Sequence, residues 1–374
     1  MKNKKFKKII KIIFIFILCG FALVGIVYSG VLVAMRLHLT DVKGSIDSRN
    51  EFFNVANKKE GARLPVIIKT PTSMNFNRLD PVIECKIMTI LTVLPENGQK
   101  ILDVYMSTKS SVIAEKMVNA ILLVTMENNP YFKDKINKCD ELNNNTFSIG
   151  DTTLSQSVFS WMSSTEWQTL RDALVKDKDV ILQASRDSGV EARVIVATVI
   201  SEQFRFFTSN RESYKRFFEP LKVLGNGTKF SYGVAGVKAE TAKVIEKNLK
   251  DKNSPFYLGP DYEDMLNYGD ANPDTELMNR LTDTKNHYYS YMYTAVFLKQ
   301  IMHQWELAGF PVNDRPEVLS TLFNLGYYKS VPKDNPEVGG STITINDRDY
   351  TFGGLSYEFY YSGELSEIFP FEVQ

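Results

Sequence analysis

The chain has 374 residues, 44% of them hydrophobic and 24% charged, with 44 basic side chains balanced by 44 acidic ones. Those are ordinary globular values, and with no net charge and no basic stripe beyond the first residues, nucleic acid is not an expected partner. The 3 histidines, His38, His287 and His303, offer no pair at metal-ligand spacing, so a zinc hydrolase is not expected, and neither metal nor cofactor is predicted.

The amino terminus carries Lys2, Lys4, Lys5, Lys7, Lys8 and Lys11, and Ile12 to Met35 then contains no charged side chain. A bilayer-spanning helix needs about 20 apolar residues, so this run predicts a membrane anchor over 12–36. The lysines place residues 1–11 in the cytoplasm and the remainder of the chain outside it. A cleaved signal peptide is the alternative, but its apolar core runs to about 7–15 residues and needs a small-residue cleavage site. Val33-Ala34-Met35-Arg36 is a poor one.

Residues 37–79, with Pro65 and Pro71, read as a linker. From 80 to 185 the pattern is helical, clearest where Val112, Ile113, Met117, Ile121 and Val124 recur at helical spacing. Asn143-Asn144-Asn145 marks a loop. Residues 161–185 again read as helix, starting near Thr165 and Glu166. This middle region carries no motif with chemistry attached. Cys85 and Cys139 form one disulfide in an oxidising compartment, or are two independent buried thiols.

The texture changes at 186, and residues 186–374 are read as the functional domain. A strongly apolar helix spans Glu191 to Phe206, and a glycine-rich loop follows at Gly225-Asn226-Gly227. Helices are predicted near 238–250, over 284–308 and from Pro316 to Leu325. Ser341 to Tyr350 alternates Thr342, Ile343, Thr344 and Ile345 and reads as a hairpin; a tyrosine-rich tail closes the chain. The fold class is mainly α.

One carboxylate stands out. Val194-Ile195-Val196-Ala197-Thr198-Val199-Ile200 is apolar at six of seven positions, so its helix belongs in a domain centre. Glu202 follows at the helix end, where burial and the negative pole of the helix dipole both favour the protonated form. Such a group can serve as the general acid of glycosidic cleavage. Taken alone, the stretch favours a glutamate that emerges into solvent at a helix end or caps a neighbouring backbone.

Further motifs follow in order. Ser231-Tyr232-Gly233-Val234-Ala235-Gly236-Val237 precedes Glu240-Thr241-Ala242, then comes Thr294-Ala295-Val296-Phe297-Leu298, then Leu322-Phe323-Asn324-Leu325-Gly326, and finally Tyr357, Tyr360 and Tyr361. Together with Glu202-Gln203, these motifs over residues 186–369 resemble the catalytic domain of the soluble-type lytic transglycosylases, which share the lysozyme-like fold. Two positions depart from that pattern: Gln203 stands where the family has serine, and Gly236 where it has glutamine.

The resemblance implies a peptidoglycan-cleaving enzyme. Glu202 would protonate the oxygen linking N-acetylmuramic acid to N-acetylglucosamine, then take the proton of the sugar's 6-hydroxyl as a 1,6-anhydro ring closes. Ser231, Gly233, Asn324 and Tyr360 would bind or position the glycan. Asn324 and Gly326 read equally as a helix terminus. Hydrolysis would instead need a second carboxylate, for which Glu212, Glu219 and Glu240 are available. A membrane-anchored glycan-binding or scaffolding module with a degenerate site is the rival outside enzymology.

Overall fold

A computed structural model of the chain describes residues 44–61, 79–125, 130–140, 158–208, 231–232, 234–269 and 271–373, with separate positions between 15 and 30. The chain divides into two compact units, 1–43 and 44–374. In the first, the described positions, among them Ile15, Cys19 and Ile26, are helical and exposed. The apolar run over 12–36 otherwise lies outside the described residues. Among the described residues no helix is long and apolar enough to cross a membrane.

The second unit is mainly helical, as composition and periodicity predict. It opens with a two-residue strand β1 (Ser45–Ile46) and helix α1 (Asn50–Gly61). The middle region supplies α2 (Pro81–Val93), α3 (Pro95–Thr108), α4 (Ser111–Thr125) and α5 (Pro130–Asp140). A 3₁₀ turn at Ser160–Ser163 leads into α6 (Thr165–Lys176) and α7 (Lys178–Ser188).

Local chemistry sets these boundaries. The Asp80 carboxylate accepts the Val82 N–H at 2.8 Å and Pro81 occupies the first helical turn, a favoured start for α2. Pro95 then disfavours helical geometry at Leu94 and splits α2 from α3. Ser164 Oγ accepts the Trp167 N–H at 3.1 Å and caps α6. The stretch read as one helix over 161–185 is therefore a turn and two helices, broken at Asp177.

The remaining elements are α8 (Ala192–Thr208), the strands β2 (Ser231–Tyr232) and β3 (Val237–Lys238), α9 (Ala239–Lys250), α10 (Pro273–Thr282), α11 (Tyr288–Leu307) and α12 (Pro316–Leu325). Strand β4 (Gly339–Gly340) pairs antiparallel with β1, Ser45 opposite Gly340. Strands β5 (Thr342–Ile345) and β6 (Arg348–Thr351) form the expected hairpin, Ile343 opposite Tyr350. The tyrosine-rich tail is a buried helix, α13 (Phe352–Ser362), capped by Thr351 Oγ1 on Gly354 N–H at 3.1 Å.

Helix α8 sits at the centre, buried on all sides along its apolar run, against α12 and α13. A chain of hydroxyls ties the three together: Thr198 to Ser320 at 2.8 Å and Ser320 to Ser356 at 2.7 Å. Buried polar groups need such partners, and these supply them across helices with little else polar to offer.

The boundary expected at 185/186 does not separate compact units. Helix α4 packs on α13, and Trp161 and Trp167 stand 6.1 Å and 6.0 Å from Phe359. Nor do residues 37–79 act wholly as a linker, because β1 and α1 join the same unit; Asp47 and Arg49 reach Thr351 and Glu358. The middle region hides part of its apolar surface on a neighbour, and sequence periodicity does not say which neighbour. Cys85 and Cys139 are joined in a disulfide that links α2 to α5.

Candidate functional site

Glu202 lies near the carboxy-terminal end of α8 and is 3% exposed. The expected burial is present. The helix passes from the core toward its end there: Ser201 and Phe204 are fully buried, Gln203, Arg205 and Phe206 are half-buried, and Phe207 is exposed.

A cation faces the carboxylate. Arg205, three residues on, donates Nε–H to Glu202 Oε2 at 2.9 Å and Nη2–H to Oε1. This two-pronged geometry is the strong form of the carboxylate–guanidinium bond. Burial pulls the Arg205 guanidinium toward deprotonation, but the charge and hydrogen bonds of Glu202 outweigh it and hold the group above its ordinary value. Arg205 also lies over the Phe206 ring, 4.7 Å from its centroid. Sequence reasoning overlooked Arg205, although its spacing of three residues on one helix face was a readable signal.

The turn between β2 and β3 closes on the same carboxylate. Those strands pair Ser231 with Lys238 and Tyr232 with Val237, which carries residues 234–236 over α8. Gln203 Nε2 donates to the Val234 carbonyl and pins the turn. Gly236 adopts φ +63°, and a Cβ there would fall 2.1 Å from Glu202 Oε1. The two departures from the family pattern, Gln203 and Gly236, thus act together. The glutamine clasps the turn, and the glycine lets backbone approach the carboxylate where a side chain would displace it.

The other expected site residues are placed as follows. Ser231 is the first residue of β2, and its side chain lies outside the described residues, as does the whole of Gly233. The glycine-rich loop at 225–227 and the carboxylates Glu212 and Glu219 also lie outside them. Glu240 is exposed in the first turn of α9. Asn324, at the end of α12, accepts hydrogen bonds from Ser341 N–H at 2.9 Å and Ser341 Oγ at 3.0 Å. Gly326 follows with φ +92°, so this pair ends a helix and anchors the strand after it.

Tyr360 does not face Glu202. Its hydroxyl meets both carboxylate oxygens of Glu191, at 2.9 Å and 2.7 Å. Glu191 immediately precedes α8, and at about 1.5 Å rise per residue it lies roughly 16 Å along the axis from Glu202. Tyr357 meets the Phe53 ring edge-on, and the Tyr361 hydroxyl donates to the Asp314 carbonyl at 3.2 Å. The late tyrosines serve packing at the opposite end of α8, because α13 runs beside the start of that helix. On α11, Phe297 is fully buried, with ring centroids of Phe323 and Tyr327 at 5.3 Å and 4.3 Å.

A polar cleft of about 250 Å³ opens elsewhere, lined by residues that include Asp47, Arg49, Thr342, Asp349 and Tyr350. There Arg49 binds Asp47 at 2.9 Å and Glu358 at 2.5 Å, while Asp349 accepts a hydrogen bond from Thr344 Oγ1 at 2.6 Å. Among the described residues no cluster of histidine, cysteine and carboxylate side chains has the makings of a metal site. Chemically, Glu202 is held as a hydrogen-bond acceptor, one oxygen on each prong of Arg205. No protein-family model matches the chain, and neither the curated proteins nor the solved structures compared with it include a match.

Proposed function

We propose that the protein is a peptidoglycan lytic transglycosylase, anchored in the cell membrane by residues 12–36, with its lysozyme-like domain outside the cytoplasm. Glu202 is the single acid/base residue. It protonates the oxygen between N-acetylmuramic acid and N-acetylglucosamine, the substrate's acetamido group stabilises the developing cation, and the carboxylate then accepts the 6-hydroxyl proton as the 1,6-anhydro ring closes. No cofactor is required. Ser231, Gly233 and Asn324 hold the glycan or the backbone that borders it.

The observation that carries this reading is the burial of Glu202 at the end of an otherwise apolar central helix, with backbone from a separate turn brought against its carboxylate by Gly236. A carboxylate serving only as surface charge has no need of that enclosure. The run from Ile12 to Met35 without a charged side chain supports the anchor.

The test is digestion of purified sacculi by the full chain in detergent. Wild type is expected to release muropeptides with anhydro ends, and Glu202→Gln is expected to lose release by about a thousandfold or more, consistent with removing the only proton donor. Reducing ends in place of anhydro ends would mean hydrolysis. Equal digestion by the variant rejects Glu202 as the acid.

The second reading is a glycan-binding module whose catalytic site has decayed. The two-pronged Arg205–Glu202 pair favours it, since a carboxylate so held is an acceptor and not a proton donor. Binding of sacculi without any release of fragments would establish it.

A further inference from the structure

The chain enters the second unit at Gly44, and that entry has a defined place. A Cβ on Gly44 would stand 2.8 Å from Leu325 Cδ2, so the entering segment lies against the last residue of α12. Ser45 and Ile46, which follow, pair with Gly340 and Gly339 of β4. On the other side of Leu325, the Tyr328 ring stands 3.4 Å from where a Cβ on Gly326 would be. The short 3₁₀ turn Tyr327–Lys329 is thus next to the point of entry. Its foot is the buried Ser330, whose Oγ accepts Trp305 Nε1–H at 2.9 Å and whose carbonyl accepts Gln304 Nε2–H at 3.2 Å, so the turn is fixed to the end of α11. On either side of that foot, Tyr328 is 77% exposed and Val331 63% exposed, and Ile46 on β1 is 61% exposed. Exposed apolar side chains scattered singly mean little, but these share the end of the unit at which the chain enters. Lys329 Nζ lies 5.5 Å from the Tyr328 ring centroid. An aromatic ring with a hydroxyl tip beside a lysine suits a membrane interface, where the ring sits among the upper acyl chains and the polar tips among the headgroups.

We propose that this end of the second unit docks on the phospholipid surface, with Tyr328 and Val331 entering the interface. The inference rests on the membrane anchor under "Proposed function" and not on the glycan chemistry. Residues 37–43 span at most roughly 25 Å when fully extended, so an anchor over 12–36 keeps Gly44, and the turn beside it, close to the headgroups. A few apolar side chains are too small a surface to bind a bilayer from solution. The tether makes docking intramolecular, and at the resulting effective concentration a small contact suffices.

The experiment adds the full chain, with Cys19→Ser to remove the free thiol, to preformed vesicles of phosphatidylcholine and phosphatidylglycerol. A nitroxide is attached at Val331→Cys. Its collisions with oxygen, which concentrates in lipid, are compared with its collisions with a nickel chelate, which stays in water. The ratio is expected to favour oxygen several-fold over that of the same chain with Tyr328→Asp. That change sets a charge at the interface and should lower the docked fraction about tenfold, returning the label to the chelate. Tyr328→Trp should keep the label in lipid, because tryptophan favours the same interface.

If the chain floats with the vesicles after an alkaline wash while the label stays open to the chelate, the inference is overturned and the anchor stands. A label shielded from both reagents marks a protein contact, a second copy included, and overturns it as well. So does a lipid-exposed label that Tyr328→Asp leaves in place. If the alkaline wash strips the chain from the vesicles, the anchor fails and the inference falls with it.

Discussion

A Cβ on Gly236 would fall 2.1 Å from Glu202 Oε1, closer than any two such atoms can stand. The glycine is held at φ +63°, a backbone region that side chains also disfavour. Sequence comparison with a family would mark this position as a lost polar contact. Space explains it differently: the carboxylate occupies the volume a side chain would need.

Gly236→Ala is therefore expected to push the Glu202 carboxylate off Arg205 and to open the turn held by Gln203. Strain at φ should cost about 1–2 kcal/mol of stability. Glycan release should fall by about tenfold or more, as misplacement of an acid by an ångström costs. The measurement is a sacculus-release assay beside a thermal melt. Full activity in a folded variant would mean that the enclosure of Glu202 is irrelevant to the chemistry.

Arg193, in the first turn of α8, is fully buried, and its guanidinium bonds four main-chain carbonyls. Nε reaches Tyr360 at 2.8 Å, Nη1 reaches Glu364 at 2.9 Å and Phe369 at 3.2 Å, and Nη2 reaches Phe359 at 3.2 Å. The Phe371 ring lies 4.2 Å from its centre. Arg193→Leu strips several buried carbonyls of partners at once and should destabilise the protein by about 3 kcal/mol or more. Urea denaturation followed by tryptophan fluorescence reads this, because Trp161 and Trp167 border the same helix, α13. A shift below about 1 kcal/mol would show that water replaces the guanidinium at little cost.

The disulfide between Cys85 and Cys139 closes a loop of 54 residues between α2 and α5. Loop-closure entropy values such a link at about 4 kcal/mol, with measured cases running lower. Reduction, or the paired change Cys85→Ser with Cys139→Ser, should lower the melting temperature by several degrees. An unchanged melt on full reduction would show that α2 and α5 stay in register through packing alone.

The legibility of this fold in its sequence follows from where the periodicity is self-sufficient. Helices α8, α11 and α12 and the β5–β6 hairpin announce themselves because their apolar residues face a core on several sides or alternate cleanly. Helix α13 does not, because Gly353, Gly354 and five aromatic residues sit where no single face can be traced, and burial on every side removes the polar marker. The union of residues 44–185 with the rest was equally hidden, since pairs such as Ser45–Gly340 and Lys116–Asp314 join positions far apart in the chain. At the site, Glu202 could be found from its apolar helix. Tyr360 could not be placed, because which end of α8 a later tyrosine meets depends on how α13 runs beside it. Gln203 follows Glu202 directly and Arg205 lies three residues beyond it, but their partners, the carbonyl of Val234 and the carboxylate on the same helix face, become evident only in three dimensions.

Stability should also respond to pH through Glu191. Burial pushes this carboxyl up to about 7 from its ordinary 4.5, against the pull of Tyr360's two hydrogen bonds and the Glu372 N–H. Because the folded value lies above the unfolded one, the folded chain binds the extra proton between those limits. The stabilising contribution is complete below about pH 4.5 and disappears as pH rises through about 7, and its full size is on the order of 3 kcal/mol. Glu191→Gln mimics the protonated group and keeps Tyr360 a partner. It should match wild type at pH 4 and become the more stable protein at pH 8, with the difference opening across that window. Parallel melting curves for the two proteins over the whole range would show that Glu191 titrates in the folded chain as it does in water, and that the clasp between Tyr360 and the start of α8 carries no proton.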